Sequence, residues 1–251
     1  RILSPLLSDY MVITLAKCGA IEDALILAQK LPFRTVFSYT AIISAHSDLG
    51  KGQEALEIYE EMQEKGIQAN NYTFVSVLKA CGAIRDLQRG QTLHVDACKM
   101  GLESDGFIGN TLVSMYGKCG AIAEAENVFT ASLARDVVSW NAMIASYVEQ
   151  GEDRKALFLY KLMHEEGMQP DQPTFVATIR ACGNVAEMEE SNTMIWLELG
   201  HALSLDCERL GFSLDVQVCN TLLSMYGKCG GVVEAEEVFG SFSCPDVVSW
   251  T

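Results

Sequence analysis

The phrase Asn110-Thr111-Leu112-Val113-Ser114-Met115-Tyr116-Gly117-Lys118-Cys119-Gly120 returns almost unchanged at Asn220–Gly230 and, in a weaker form, at Asp9–Gly19. A second phrase, Asp-Val-Val-Ser-Trp, stands at Asp136–Trp140 and again at Asp246–Trp250. Self-similarity at this spacing constrains the fold more than any local propensity. Each repeat is one supersecondary element that buries its apolar face only against its neighbours. Stability then becomes a sum over repeats and their contacts, and function is sought on the long concave surface of the stack rather than in a pocket.

The recurring glycines set the register. Repeats 36–70 and 137–171 each have 35 residues and are followed by repeats containing Tyr-Thr-Phe or Pro-Thr-Phe near their start, 71–105 and 172–215. Shorter, 31-residue repeats come next, 106–136 and 216–246. Residues 5–35 fit the short kind, and 247–251 open another long one. The repeat 172–215 carries nine extra residues near Met188–Trp196, where a lengthened helix or a tolerated surface loop is expected.

Each repeat reads as two helices. In 137–171, Val138, Asn141, Ile144, Ala145 and Val148 follow helical spacing as far as Gly151, which breaks the chain. A second helix is predicted from Asp153 to about Glu166, with Ala156, Leu157, Tyr160 and Met163 on one face and Arg154, Lys155, Lys161, Glu165 and Glu166 on the other. Neither helix buries its stripe alone. The predicted fold class is therefore all-α: an α-solenoid of stacked helix–turn–helix pairs forming a right-handed superhelix, a single array across 1–251.

Composition limits what such a stack does. The net charge is −15, which by itself opposes nucleic-acid binding. None of the nine cysteines forms a C-x-x-C pair, so no metal or cofactor site is expected. Cys18, Cys119 and Cys229 share one repeat position and Cys81 and Cys182 another, which fits small buried cysteines at helix contacts in a reducing compartment. No run of eighteen apolar residues exists, so no membrane partner is expected. The chain opens on Arg1 and stops just after a repeat phrase begins, so it reads as a fragment whose targeting peptide lies elsewhere.

Val-Val-Ser-Trp-Asn-Ala-Met-Ile at 137–144, then Ala156-Leu157, Met163 and Gly167-Met168-Gln169-Pro170-Asp171, resemble one pentatricopeptide repeat. The lengths 35, 35 and 31, with Met-Tyr-Gly-Lys-Cys-Gly in the short repeats, resemble the P, L and S motifs of the plant-type subclass. A tetratricopeptide array is the rival, but its period is 34, no repeat here has that length, and its Trp, Leu-Gly, Tyr signature is missing. On the resemblance, 5–35, 106–136 and 216–246 are S motifs, 36–70, 137–171 and the start at 247–251 are P motifs, and 71–105 and 172–215 are L motifs.

The resemblance implies single-stranded organellar RNA as partner, read at about one base per repeat by two or three side chains. It places the reader at position 5 of each repeat and its partner at the last position. These pairs are Thr40 with Asn70, Asn110 with Asp136, Asn141 with Asp171, and Asn220 with Asp246; Thr251 reads without its partner. The family's pattern assigns adenine to Thr with Asn and uracil to Asn with Asp, while Val75 and Val176 act as spacers and Asp9 with Thr35 is unassigned. The implied target, read with the N-terminus toward the RNA 5′ end, is A, any, U, U, any, U, purine. An asparagine inside a first helix is a poor helix former, which favours a use beyond folding. Asp136, Asp171 and Asp246, by contrast, also suit helix caps.

Phe37, Phe107, Val138 and Val248 occupy position 2, where the resemblance expects base stacking; core packing is the open alternative. Gln217 departs from that pattern. Lys17, Lys118 and Lys228 at position 13, with Lys79 and Arg180 at position 9, are expected to contact phosphates. Asp48 and Glu149 interrupt the stripe, while many acids fall in second helices. Salt-sensitive binding follows.

Arrays of this subclass often precede a zinc-dependent deaminase domain with H-x-E and P-C-x-x-C segments. His164-Glu165-Glu166 matches only in letters, and no P-C-x-x-C follows, so the chain is read as no enzyme and takes no small-molecule substrate. The implied role is the specificity module of organelle C-to-U RNA editing, in mitochondrion or chloroplast, with editing-complex proteins as further partners. The alternatives are a protein-interaction scaffold, which the acidic balance suits, and an RNA processing or stability factor without editing.

Overall fold

In the computed structural model the described residues are 5–30, 34–102, 105–132, 135–189 and 192–241. They form helices and turns, with no strand among them. The helices come in pairs: α1 (Pro5–Lys17) with α2 (Ile21–Lys30), α3 (Val36–Asp48) with α4 (Gly52–Glu64), α5 (Asn71–Ile84) with α6 (Leu87–Lys99), and α7 (Gly106–Lys118) with α8 (Ile122–Ala131). The remaining pairs are α9 (Val137–Glu149) with α10 (Asp153–Glu165), α11 (Gln172–Met188) with α12 (Thr193–Arg209), and α13 (Val216–Cys229) with α14 (Val232–Ser241).

Two compact units hold these helices, Arg1–Leu133 and Ala134–Thr251. In the first, α1, α3, α5 and α7 pack successively into one layer; in the second, α9, α11 and α13 do the same. Most second helices lie on their own first helix and on the first helix of the following pair, as α4 does on α3 and α5 and α10 on α9 and α11. Each unit is thus a stack of helix pairs in two layers, with the first helices as one continuous layer.

Capping and glycine set the boundaries. Asp171 precedes α11 in extended backbone and its Oδ1 accepts the Thr174 N–H at 3.1 Å, satisfying a donor the helix cannot use. At the other end of α9, Gly151 takes φ 75°, and Glu152 N–H reaches back to the Tyr147 carbonyl at 2.8 Å. The core is aromatic at position 4 of the long repeats among the described residues: Tyr39, Phe74, Trp140 and Phe175 are all fully buried. Smaller residues allow the layers to approach. A Cβ on Gly90 of α6 would lie 2.5 Å from Met115 Sδ, and one on Gly200 of α12 would lie 2.6 Å from Met225 Cε.

The extra residues of 172–215 lengthen both helices of that pair. The α11 and α12 helices have 17 residues each, against 14 in α5 and 13 in α6. The extension folds back on α10: Glu189 pairs with Arg154, whose guanidinium sits 5.8 Å from the Trp196 ring centroid.

The cysteines divide more finely than their spacing suggested. Cys81, Cys182, Cys207, Cys219 and Cys229 are buried, and Cys98 and Cys119 are half-buried, but Cys18 is exposed. The difference lies one turn back. Cys119 and Cys229 pack on Met115 and Met225 at 3.9 and 3.7 Å, whereas Cys18 follows Thr14, whose hydroxyl donates to the Tyr10 carbonyl instead. Cys244 lies outside the described residues. Burial pushes the thiols of Cys81, Cys182 and Cys207 up to about 12, so little thiolate exists near neutral pH. Alkylation followed by peptide mapping is expected to label Cys18 within minutes and these three only at the rate of unfolding. Rapid native labelling of Cys182 would contradict the packing.

His94 on α6 sets a pH dependence. Its Nδ1 lies 2.9 Å from the Tyr116 hydroxyl, and burial lowers its pKa from the ordinary 6.5. The unfolded chain therefore takes up the proton first as pH falls, so stability is fully present above about 6.5 and declines below it. Urea denaturation at pH 7.5 and 5.5 is expected to show this loss, with a smaller one in His94→Gln.

Candidate nucleic-acid interface

The position-5 residues sit on first helices, and the last-position residues cap the first helix of the next pair. Within one compact unit, two neighbouring repeats therefore bring Asn141 to Asp171 and Thr40 toward Asn70. Asn141 on α9 is half-buried, and its Nδ2 donates to Asp171 Oδ1 at 2.8 Å. The Thr174 hydroxyl, fully buried on α11, bonds to Asn141 Oδ1 and lies 2.8 Å from Asp171 Oδ1. A carboxylate only accepts, so the atom facing Asp171 is the amide nitrogen and the amide orientation follows. One N–H and one lone pair of Asn141 Oδ1 are left for a ligand, a donor beside an acceptor.

Thr40 and Asn70 meet through a third residue. Thr40 Oγ1 lies 2.7 Å from Thr73 Oγ1, which is 2.9 Å from Asn70 Oδ1. Asn70 Oδ1 also accepts the Thr73 N–H at 2.9 Å, so its Nδ2 protons are the donors it offers elsewhere. The first pair shows the same three-way contact. Asp9, buried on α1, accepts from the Thr35 hydroxyl at 2.8 Å and the Ser38 hydroxyl at 2.5 Å.

Val75 and Val176 offer no polar atom, and the aspartates ending their repeats find other partners. Asn71 Nδ2 donates to Asp105 Oδ2 at 3.3 Å, and Gln172 Nε2 to Asp215 Oδ1 at 3.2 Å. Asn110 belongs to the first compact unit and Asp136 to the second, where Asp136 caps α9 through the Ser139 N–H at 2.8 Å. Asn220 lines a groove of about 300 Å³ with Arg180, Gln217 and Lys228. Asp246, Val248 and Thr251 lie outside the described residues.

Position 2 is not core. Phe37 is 60% exposed, Phe107 79% and Val138 56%, which overturns the packing alternative for these three. Phe37 lines a groove of about 400 Å³ in the first compact unit together with Thr40, Asn70, Lys17 and Lys79. Tyr72, 70% exposed, stands in the same groove. It occupies position 2 of 71–105 and is the residue that sequence reasoning passed over. Gln217 also points out, held by Gln172 Nε2 at 2.9 Å.

The cations differ between the two layers. Lys17, Lys79 and Lys118 are exposed on first helices and form no ion pair among the described residues. On the second helices, Arg89 meets Glu60 at 3.0 Å and Arg209 meets Asp206 at 2.8 Å. A net-acidic chain thus keeps unpaired lysines on the first helices of its first compact unit. Lys228 departs from that pattern. Its ammonium lies 2.8 Å from Glu187 and 3.0 Å from Asn184, because the longer α11 carries an acid that α5 lacks. Arg180 is exposed beside it, and Asp48 lines the groove of the first compact unit, an interruption of the positive stripe.

Two family models match. The PPR repeat family matches residues 34–83 and 135–184, and the PPR repeat matches 110–131 and 218–242, together more than half of the chain. The chain belongs to the pentatricopeptide repeat family. These 251 residues therefore form a repeat protein rather than an enzyme.

Among curated relatives, a chloroplastic pentatricopeptide repeat-containing protein of Arabidopsis thaliana is 37% identical over 236 residues, covering 94% of this chain and 37% of the relative. A mitochondrial one from the same plant is 32% identical over 246 residues, covering 97% and 37%. The chain spans about a third of the length of these relatives. Of solved structures, the maize pentatricopeptide repeat protein PPR10 superposes with a TM-score of 0.67 at 23% identity, covering 96% of this chain and 35% of that one. PPR10 in complex with an 18-nt psaJ RNA element gives 0.60 at 20% identity, covering 96% and 50%. These likenesses show the pentatricopeptide fold. The buried hydroxyls of Ser38, Thr73 and Thr174 were the other residues missed, since a hydroxyl one turn after a cap reads only as part of the cap.

Proposed function

We propose that this chain is a base-reading segment of an organelle RNA-binding protein. The observation that carries the reading is Asn141 held against Asp171 at 2.8 Å with a donor and an acceptor still to offer. Uracil presents the complement, an N3–H beside a carbonyl. The family's pattern extends the reading: it assigns uracil to Asn110 with Asp136 and to Asn220 with Asp246, and adenine to Thr40 with Asn70. Phe37, Phe107, Val138 and Val248 stack on base faces. Lys17, Lys79, Lys118, Arg180 and Lys228 meet phosphates, Lys228 by exchanging Glu187 for the backbone. The solved complex of PPR10 with RNA supports the substrate class. The organelle names of the relatives support the compartment. The alternation of 35, 35 and 31 residues supports the finer role, selection of a cytidine for editing.

Fluorescence anisotropy tests it with A-N-U-U-N-U-A against the same RNA with each U changed to G, at two salt concentrations. Preference for the first by about tenfold or more is expected, with affinity falling as salt rises. Equal affinity for both would refute base reading. Absence of binding at low salt would favour a protein scaffold.

A further inference from the structure

We propose that the buried hydroxyls of Ser38, Thr73 and Thr174, at position 3 of their repeats, are positioning residues for the base reader of the preceding repeat. This rests on the base-reading role proposed above. The contacts recur. Ser38 reaches Asp9, Thr73 reaches Thr40, and Thr174 reaches Asn141, each hydroxyl also touching the last-position side chain or lying within its cap. All three are buried, where a hydroxyl needs partners, and the reader cluster supplies them.

The sequence distributes the hydroxyl by need. After the polar readers Asp9, Thr40, Asn110, Asn141 and Asn220, position 3 of the following repeat is Ser38, Thr73, Ser139, Thr174 and Ser249. After the apolar Val75 and Val176 it is Ile108 and Val218. Each of Ser38, Thr73 and Thr174 also accepts the backbone N–H of the residue that caps its helix, at 3.2, 3.3 and 3.2 Å, but a cap does not require the hydroxyl. Asp105 takes the Phe107 and Ile108 N–H groups at 2.9 and 3.2 Å, and Asp215 takes those of Gln217 and Val218 at 3.0 Å, with no hydroxyl at position 3. The cap works without it, and the hydroxyl appears only where there is a reader to orient.

Its action at Asn141 is an orientation lock. Asp171 draws the amide nitrogen and Thr174 engages the amide oxygen, so both ends of one planar group are fixed. Without Thr174 the amide keeps one anchor and rotates, presenting donor and acceptor in more than one order. A base that needs the opposite order then competes.

Thr174→Val keeps the shape and removes the hydroxyl; Thr174→Ser restores it. Without RNA, side-chain amide NMR of Asn141 is expected to show slow proton exchange in the native chain and in Thr174→Ser, and at least several-fold faster exchange in Thr174→Val. With RNA, the ratio of affinities for U over C at the Asn141 position is expected to fall about fivefold or more in Thr174→Val. That ratio recovers in Thr174→Ser. A purely structural role would shift the melting temperature of Thr174→Val and leave both readouts unchanged, which overturns the proposal. If the native chain itself shows no base preference, the RNA-reading function falls, and the amide spectrum alone decides for or against the lock.

Discussion

Trp140→Ala is expected to lower the unfolding free energy by about 3–5 kcal/mol. The ring is fully buried on α9, with the Arg135 guanidinium 5.4 Å from its centroid. Position 4 holds Tyr39, Phe74 and Phe175 in other long repeats, each fully buried, so the ring fills the core of its own repeat pair. In a stack held by nearest-neighbour contacts the damage stays local. Urea denaturation followed by circular dichroism measures the loss. Hydrogen exchange is expected to show α9 and α10 opening before α3 to α5. A loss below about 1 kcal/mol would mean that the repeat collapses around the cavity and that the buried ring is not what holds it.

Asn141→Ala should do the reverse: a large change in RNA selection with little change in folding. The side chain is half-buried, and its loss leaves Asp171 still accepting the Thr174 N–H at 3.1 Å, so the α11 cap survives. Discrimination for U at that one position is expected to fall by about 1–3 kcal/mol, roughly five- to 150-fold, with neighbouring positions unaffected. Anisotropy with RNAs varied one base at a time measures this. A uniform loss at all positions would instead point to a phosphate-type contribution from this residue.

The paired-helix design was legible because spacing and glycine are local signals. The predicted second helix from Asp153 to about Glu166 stands at Asp153–Glu165, and the first ends before Gly151 as its φ of 75° requires. The grouping of Phe37, Thr40 and Asn70 in one groove followed from the register. What escaped notice depended on neighbours in space. Whether Val138 faces the core or solvent is set by which side of α9 meets α11, and helical spacing alone gives no direction. Lys228 looks identical to Lys118 in its repeat phrase, yet three more residues on α11 bring Glu187 to it. Cys18 shares a position with Cys229 but has Thr14 where that residue has Met225. For Lys228 an identical letter acquires a different environment from a neighbouring element, whereas for Cys18 the difference lies one turn back on its own helix.

The helix caps restrict how such a chain can change its target. Thr35, Asn70, Asp105, Asp136, Asp171 and Asp215 each close the start of a helix, and four of them end repeats with a polar reader. On the base-reading role proposed above, the reading alphabet at the last position is a subset of the capping alphabet: aspartate, asparagine, serine and threonine. An exchange within that set alters the letter and spares the fold. One outside it costs about 1 kcal/mol of helix stability as well, so drift in specificity is channelled into the few substitutions that both cap and read.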